Sequence, residues 1–232
     1  MFKSLKAKVY NGLVALSLVA FGATANAEGA NNWTGLYLGG QVGHASADAN
    51  LNFVGGGWWT FANTPFASFS LDGFAGGLHF GYGQQTSNNY FWGVEASFNA
   101  SDLNQSIASP AFPAIDTWTI EVDSFWDVTG RVGYVHNQFL FYATGGLAGA
   151  NVNSRATPPI DAASQSHIGY VVGLGADYML PNGVVLGLQY KFYDFGSRTH
   201  YFNPACGPCS AGDNRNVSVD ANVVMLRATS HF

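Results

Sequence analysis

The chain has 232 residues and a formal net charge of −5, and only 10% of its residues are charged while 15% are aromatic and 29 are glycine. This charged fraction lies far below the ~25% that is usual in soluble domains, and the acidic balance leaves no basic patch, so we expect no nucleic-acid partner. No apolar run beyond residue 27 is long enough for a membrane helix, so we expect alternation along β-strands to carry the hydrophobic residues.

The amino terminus has the pattern of a secretory signal peptide. Three lysines lie among the first eight residues, an apolar run follows at Leu13–Phe21, and Ala25 and Ala27 form an A-x-A cleavage pattern. The apolar run is well short of the ~20 residues that a membrane-spanning helix needs, so an anchor is the poorer interpretation. We therefore predict a signal peptide at residues 1–27 and an exported barrel domain at residues 28–232.

Segments with a period of two follow one another along the mature chain. In His167–Leu180, for example, one face carries large apolar side chains and the other carries mostly glycine and polar residues, which is typical of a strand. For Phe139–Ala150 both faces look apolar, so the sequence does not assign them. In chain order, strands are predicted near Thr34–His44, Phe74–Gly83, Tyr90–Asn99, Trp118–Tyr134, Phe139–Ala150, His167–Leu180, Val184–Phe192 and Val217–Phe232.

The connections between these eight strands alternate between short and long. Short turns are predicted at Gln84–Asn89, His136–Asn137 and Pro181–Gly183, and long loops at Ala45–Ser70, Ser101–Asp116, Asn151–Gln165 and Gly196–Asn216. Short turns on one rim and long loops on the other are typical of outer-membrane barrels. The sequence therefore predicts an all-β fold, an eight-stranded antiparallel up-and-down transmembrane β-barrel with short periplasmic turns and long extracellular loops.

A soluble barrel of the lipocalin type is the competing interpretation, since it is also exported and also has eight antiparallel strands. Lipocalins place apolar side chains inside the cup and polar side chains outside. Here the less apolar face of the strands, which would line the interior, consists of glycine, acids, bases and amides. Tyr and Trp also lie near the predicted strand ends, as in the aromatic girdles of membrane barrels. Both features favour the membrane barrel.

Charged residues are predicted on the inward face of this barrel. Eight strands leave an interior only about as wide as its own side chains, and isolated buried charges are unfavourable there. If inward and outward side chains alternate without interruption along each strand, the inward acids and bases form ion pairs that plug the barrel. These residues are Glu95, Glu121, Asp127, Arg131, Asp177, Lys191 and Arg227. We predict from this network a polar, largely closed lumen.

Four segments carry a resemblance to a known family. They are the mature start "NNWTGLYLGGQVG", the strand "FLFYATGGLA", the hairpin "YMLPNGVVLGLQYKFYDFG" and the terminal Phe232. Together they resemble the outer-membrane immunogenic proteins of Gram-negative bacteria, whose barrel is similar to the membrane domain of outer membrane protein A. The terminal aromatic residue also resembles the sorting signal of outer-membrane barrels, although Ser230 and Ala228 are less apolar than that pattern usually has.

The resemblance implies a barrel embedded in the cell outer membrane as an abundant structural surface protein. Its expected partners are outer-membrane lipid, lipopolysaccharide and, through the strand that ends at Phe232, the barrel-assembly machinery. Some members of the family are linked to haem binding or to weak pore activity, so a weak porin or a haem-binding surface protein remains the alternative. No ligand motif in this sequence matches either activity, and we expect no cofactor.

Three histidines and one serine raise other possibilities. Small outer-membrane barrels of similar size include acyltransferases and deacylases that act on lipopolysaccharide, and Ser197, His200 and Asp194 are the candidate nucleophile, base and orienting group here. His44, His167 and His200 could form a surface cluster for metal or haem, but they lack the local spacing of a metal site. We interpret all of these as ordinary loop, rim or lumen residues, and we expect no enzymatic activity.

The first long loop is unusually apolar. Trp58, Trp59, Phe61 and Phe66 lie close together in it, and exposed apolar patches often mark contact surfaces. The favoured interpretation is that the flanking strands extend past the membrane and these aromatic residues pack on one another above the rim. Binding of a surface partner through this loop is the second interpretation.

The last long loop contains the motif Cys206-Gly-Pro-Cys209, which looks like the active site of a thiol oxidoreductase. Nothing around it resembles the strand and helix that flank a catalytic CxxC motif. A Gly-Pro turn can instead bring the two Cα atoms within disulfide range, and exported proteins favour disulfides. We predict a structural disulfide within the loop, so that its thiols react with a labelling reagent only after reduction.

Overall fold

The computed structural model of the protein describes residues 32–54, 65–109, 114–157, 161–201 and 214–232. They form a closed antiparallel barrel in which each strand pairs with the next and β8 pairs with β1. None of the described residues forms a helix that is long and apolar enough to cross a membrane. The strands are β1 (Gly35–Phe53), β2 (Pro65–Gln85), β3 (Tyr90–Ala108), β4 (Thr117–His136), β5 (Phe139–Thr157), β6 (Asp161–Met179), β7 (Val184–His200) and β8 (Arg215–His231).

The predicted eight-stranded, up-and-down barrel is confirmed, and its short turns lie together on one rim. Asn89, Asn137 and Gly183 take positive φ angles of 64°, 54° and 79° at the three short turns, a conformation that Asn and Gly adopt more readily than other residues. The amino-terminal end of β1 and the carboxyl-terminal end of β8 lie on the same rim, since Tyr37 pairs with His231. We call this the short-turn rim and the opposite end the loop rim.

The predicted long loops are the main error in the predicted strand boundaries. Most of Ala45–Ser70 and half of Ser101–Asp116 belong to strands in the structure, because β1 continues to Phe53, β2 begins at Pro65 and β3 continues to Ala108. The strands are therefore 17 to 21 residues long. A membrane-crossing strand needs only ~9–11 residues, so about half of each strand extends beyond a bilayer.

The half of the barrel next to the short-turn rim has an apolar outer surface, which we call the apolar band. On β3 it runs from Tyr90 to Phe98, close to the length of one membrane crossing. Its outward side chains are largely exposed, as expected for groups that would face lipid. They include Leu36, Leu38, Phe74, Leu78, Phe80, Tyr82, Trp92, Val94, Trp126, Val132, Tyr134, Phe141, Leu147, Tyr170, Leu174, Leu188 and Leu226.

The other half, which we call the loop half, has the opposite arrangement. On β1, the inward Ala45, Ala49 and Leu51 are all fully buried, while the outward Asp48 and Asn50 are exposed. Ser70 donates to Asp48 and Ser68 donates to Asn50 along the outer wall. This half therefore has apolar residues inside and polar residues outside, as a water-soluble barrel has. The interior is thus not polar along its whole length, which corrects the prediction of a polar lumen.

The prediction that Glu121 points into the barrel is wrong, because β4 contains a bulge at the boundary between the two halves. Val122 pairs with Val152 and Ser124 pairs with Asn151, so Asp123 is an extra residue in β4. One extra residue exchanges the two faces of a strand. As a result Asp127 and Arg131 point inward below the bulge, while Glu121 points outward above it and contacts Arg155 at 3.1 Å on the outer wall.

The structure also assigns the faces of β5, which the sequence left open. Leu140, Tyr142 and Thr144 are buried inside the barrel, and Phe139 and Phe141 are exposed on the outside. Both faces are apolar because the inward residues near the short-turn rim close the barrel while the outward residues belong to the apolar band.

Candidate functional site

The barrel interior contains a compact group of acidic and basic side chains at the level of the apolar band. The structure brings together six of the seven predicted lumen charges, which we call the charged layer: Glu95, Asp127, Arg131, Asp177, Lys191 and Arg227. Each is at most 5% exposed. The layer contains three acids and three bases, so its formal charges balance. Glu121, the seventh predicted member, lies on the outer wall.

Glu95 is the centre of the charged layer. Its Oε2 accepts a hydrogen bond from Arg227 Nη2 at 2.5 Å and from Arg131 Nη1 at 3.1 Å. Lys191 Nζ lies 3.8 Å from the other carboxylate oxygen. The side chain of Glu95 is fully buried. Three cations therefore converge on one carboxylate in a region from which bulk water is excluded, and the group is stable only because its charges compensate one another.

The other two acids complete the layer on either side. Arg131 Nη2 donates to Asp177 Oδ2 at 2.7 Å, which links Asp177 to Glu95 through one guanidinium group. Lys191 Nζ donates to Asp127 Oδ1 at 2.9 Å. Every acid in the layer therefore has a cation partner, and Arg131 and Lys191 each join two acids.

Two tyrosines fit among these charges because glycines stand opposite them. A Cβ atom at Gly175 would overlap the ring and hydroxyl group of Tyr142, and one at Gly81 would overlap those of Tyr37. Tyr142 accepts a hydrogen bond from Arg227 Nη1 at 3.0 Å. The Arg131 guanidinium lies 3.7 Å from the centre of the Tyr142 ring, within cation–π range. The inward glycines therefore give the space in which the charged layer is packed.

Apolar residues close the interior below the charged layer. Trp33, which precedes β1, is 1% exposed and packs with Phe91, Val135, Leu140, Tyr142, Met179 and Val185. Its backbone N–H donates to Gln85 Oε1 at 3.2 Å, and this bond holds the segment before β1 in the mouth of the barrel. We call this group the lower plug, because it lies between the charged layer and the short-turn rim.

A larger apolar core closes the interior above the charged layer. Along β4 the inward residues are Arg131 and Asp127, followed by Phe125, Val122 and Ile120 toward the loop rim, and the last three are 1–2% exposed. We call this core the upper core; it also includes Leu51, Phe53, Phe69, Leu71, Leu103, Val152, Tyr193, Phe195, Val217 and Val219. A crevice within it, lined by residues such as Leu103 and Phe195, has no room for a water molecule.

The candidate Ser–His pair is not formed. His200 points into the barrel and is fully buried, whereas Ser197 lies on the exposed outer wall and donates to Asn216 Oδ1 at 2.9 Å. The reason is a bulge in β7 around Gly196, which has a φ of +67° and whose N–H donates to Asp194 Oδ1. Asp194 therefore supports the bulge and does not orient His200.

The three candidate histidines are only partly brought together. His44 lies on the outer wall beside Asp72, with 3.6 Å between His44 Nε2 and Asp72 Oδ1. His167 and His200 meet inside the barrel, where their Nε2 atoms are 3.1 Å apart. In the part of the chain that the structure describes, no group of three or more His, Cys, Asp or Glu side chains could hold a metal ion. The sequence raised a surface cluster of all three histidines, whereas the structure brings only His167 and His200 together and buries them.

Of the remaining predicted residues, the structure describes Phe66 and Phe232. Cys206, Cys209, Trp58, Trp59 and Phe61 fall outside the described residues. Phe66 packs against the upper core, with its ring 4.8 Å from that of Phe53 and 5.6 Å from that of Trp118. The backbone N–H of Phe232 donates to the carbonyl oxygen of Leu36 at 2.8 Å, so the last residue closes the seam between β8 and β1.

Comparison with known sequences gives one family and several relatives. Residues 13–232 match the family model described as the outer membrane protein beta-barrel domain. The 31 kDa outer-membrane immunogenic proteins of Brucella melitensis biotype 1 and Brucella suis biovar 1 are each 31% identical over an alignment of 178 residues, which covers 72% of this chain and 73% of theirs. A 22 kDa outer membrane protein of Rhizobium leguminosarum bv. viciae is 30% identical over 173 residues, which are 74% of this chain and 68% of that protein.

Two solved structures share the barrel fold at low sequence identity. The outer membrane protein OprG of Pseudomonas aeruginosa matches 87% of this chain and 99% of its own, with a TM-score of 0.50 and 14% identity. The outer membrane protease OmpT of Escherichia coli matches 85% of this chain and 97% of its own, with a TM-score of 0.50 and 10% identity. At these identities the likeness concerns the fold alone.

Proposed function

Since this chain belongs to the outer membrane protein β-barrel domain family, we propose that it is a structural surface protein whose lumen is closed and which contributes to envelope integrity and surface interactions. It is a β-barrel of the cell outer membrane of a Gram-negative bacterium. Its immunogenic relatives in Brucella support a role at the cell surface.

This proposal rests on three layers of side chains that fill the barrel interior one after another along its axis. From the short-turn rim, a solute would meet the lower plug, then the compensated charged layer, then the upper core. The lower plug and upper core exclude ions because they offer too few polar groups to replace an ion's hydration. The charged layer would have to separate ion pairs at most 3.8 Å apart to let an ion pass.

Placement in the membrane follows from the two halves of the barrel. The apolar band fits the hydrocarbon region, and the polar wall of the loop half begins directly beyond it. We propose that the short-turn rim faces the periplasm and that the loop half stands among the headgroups and sugars of lipopolysaccharide. We further propose that β8, which ends at Phe232, is the strand that the barrel-assembly machinery recognises, and that the first long loop carries any surface partner.

Conductance of the refolded mature protein in planar bilayers tests the closed lumen. We expect no large and stable conductance steps, because three separate layers would have to open together. An open porin in the same bilayers is the positive control. The variant Trp33→Ala tests whether the other two layers keep the barrel closed when the lower plug is weakened. This variant removes the main side chain of the lower plug, and we expect it to remain closed because the charged layer and upper core are intact. Stable steps from the unmodified protein would favour a weak porin instead.

A further inference from the structure

Four buried polar side chains lie together in the loop half and have no part in the charged layer. They are Ser154 of β5, His167 of β6, His200 of β7 and Arg215 of β8, and none is more than 1% exposed. Ser154 Oγ accepts from Arg215 Nε at 3.0 Å and lies 2.9 Å from His200 Nδ1. His200 Nε2 lies 3.1 Å from His167 Nε2. The four side chains therefore form one hydrogen-bonded chain across the barrel.

The two imidazoles face each other head-on. Their ring centres are 5.4 Å apart, which is about as far as two imidazoles can be with nitrogen atoms 3.1 Å apart. A metal ion bound by both nitrogens would make a bent N–metal–N angle, as in a tetrahedral site, and the tilted rings would then have closer centres. The contact is therefore an N–H···N hydrogen bond, which needs one nitrogen with a proton and one without. If both rings are protonated, this bond cannot form.

The histidine pair lies on a seam between two strands. The backbone pairing of β6 with β7 ends at Tyr170 and Asp194, so the described residues show no ladder between these strands farther toward the loop rim. On its other side β6 pairs with β5 as far as Asp161, and β7 pairs with β8 as far as His200. In the loop half, the bond between His167 and His200 therefore bridges strands that lack backbone pairing.

We propose that the His167–His200 pair is a pH-sensitive latch, which holds β6 to β7 across this seam at neutral pH and releases the seam when both imidazoles are protonated. The membrane-spanning half is unaffected, since β6 and β7 are joined there by a continuous ladder from Tyr170 to Met179.

The charges around the latch oppose its protonation. Burial, His167 and Arg215 lower the pKa of His200 to about 4. Burial lowers the pKa of His167, and so does Arg198 of β7, although hydrogen bonds to the backbone of Gly196 and Phe195 partly offset this shift. From β5 the facing group is the uncharged Ser154. Arg215 of β8 also stacks on Trp118 of β4, 5.2 Å from the ring centre. Asp194, at the base of the seam, is bound to the N–H of Gly196.

The sign of the pH effect follows from these surroundings. In the open seam the imidazoles meet water and regain an ordinary pKa of about 6.5. A base whose pKa is lowered in the closed state makes that state less favourable as the pH falls below the open-state pKa. For His200 alone, the ratio of open to closed seam should rise roughly thirtyfold between pH 8 and pH 5. The loss of closure continues until the pH reaches about 4, the pKa of His200 in the closed state.

Spin labels across the seam measure this opening. Ser164 of β6 is exposed, and so is Ser197 of β7; both are changed to cysteine and labelled in full-length mature protein that carries Cys206→Ser and Cys209→Ser. We expect dipolar broadening of the EPR spectrum at pH 8 and loss of this broadening between pH 6.5 and pH 4. A matched pair at Asn153 and Ser164 spans the intact β5–β6 ladder, where the two residues are register partners. Its broadening should not change with pH.

The double variant His167→Gln/His200→Gln tests the cause. Glutamine can keep an amide hydrogen bond across the seam but does not titrate, so the pH response should disappear while Asp194 and the other acids remain. An unchanged response in this variant, or equal broadening of the seam pair at pH 8 and pH 4 in the unmodified protein, would overturn the proposal. If the variant does not fold, ¹⁵N-histidine NMR of the unmodified protein tests the proposal by measuring the pH at which each imidazole titrates. Two imidazoles that both titrate at or above pH 6 would contradict a buried latch.

Discussion

Replacing Glu95 by glutamine is expected to lower the free energy of unfolding by about 3–5 kcal/mol. Glutamine has nearly the same shape, so packing is kept, but Arg131, Arg227 and Lys191 lose the carboxylate on which they converge. The charged layer then carries a net positive charge inside the barrel, where water cannot compensate it. The measurement is urea unfolding of the protein refolded in lipid vesicles, followed by tryptophan fluorescence.

Glu121→Gln is the matched control, because the same chemical change is made on the outer wall. Glu121 pairs with Arg155 there, and both side chains are partly exposed to solvent. Such surface pairs contribute about 0–1 kcal/mol, so this variant should unfold almost as the unmodified protein does. Equal effects of the two substitutions would mean that the charged layer is hydrated, and the closed-lumen proposal would lose its main support.

Phe125→Ala is expected to lower the free energy of unfolding by about 3–5 kcal/mol, the usual cost of removing a large aromatic side chain from a packed core. Phe125 is 2% exposed, and its ring centre lies 5.3 Å from that of Tyr193 and 6.4 Å from that of Phe195. It occupies the point where the charged layer meets the upper core. Urea unfolding in vesicles measures the change, and proteolysis should cut the loop half before the membrane-spanning half.

Ile115→Ala provides the comparison for this second substitution. Ile115 is 65% exposed just before β4, so its removal should change the free energy of unfolding by no more than about 0.5 kcal/mol. If Phe125→Ala also changed it by less than about 1 kcal/mol, the loop half would be a water-filled vestibule and the upper core would not be a packed barrier.

The two halves of the barrel explain why both substitutions should be severe. In the apolar band the outer wall meets lipid, so polar groups are collected inside and must neutralise one another. In the loop half the outer wall meets water and headgroups, so apolar groups are collected inside as in a soluble protein. The interior is therefore filled by ion pairs at one level and by hydrocarbon at the next, and neither filling leaves a path for solutes.

The sequence by itself determined the number of strands, their order and most of their faces. Alternation is a local property, and the turns at Asn89, Asn137 and Gly183 are marked by residues that favour positive φ angles. Within an unbroken strand, one inward residue fixes the others, so alternation alone was sufficient to place Glu95, Asp127, Arg131, Asp177, Lys191 and Arg227 inside the barrel.

Only the tertiary structure decided where a strand changes face and which distant residues meet. The bulge at Asp123 moves Glu121 to the outer wall, and the bulge at Gly196 turns His200 inward, yet neither appears as a break in the alternation of a single strand. A bulge is defined by counting residues against the neighbouring strand. In the same way, the contact between His167 and His200 depends on the alignment of β6 with β7 and on the bulge that turns His200 inward, and neither is visible in the alternation of one strand.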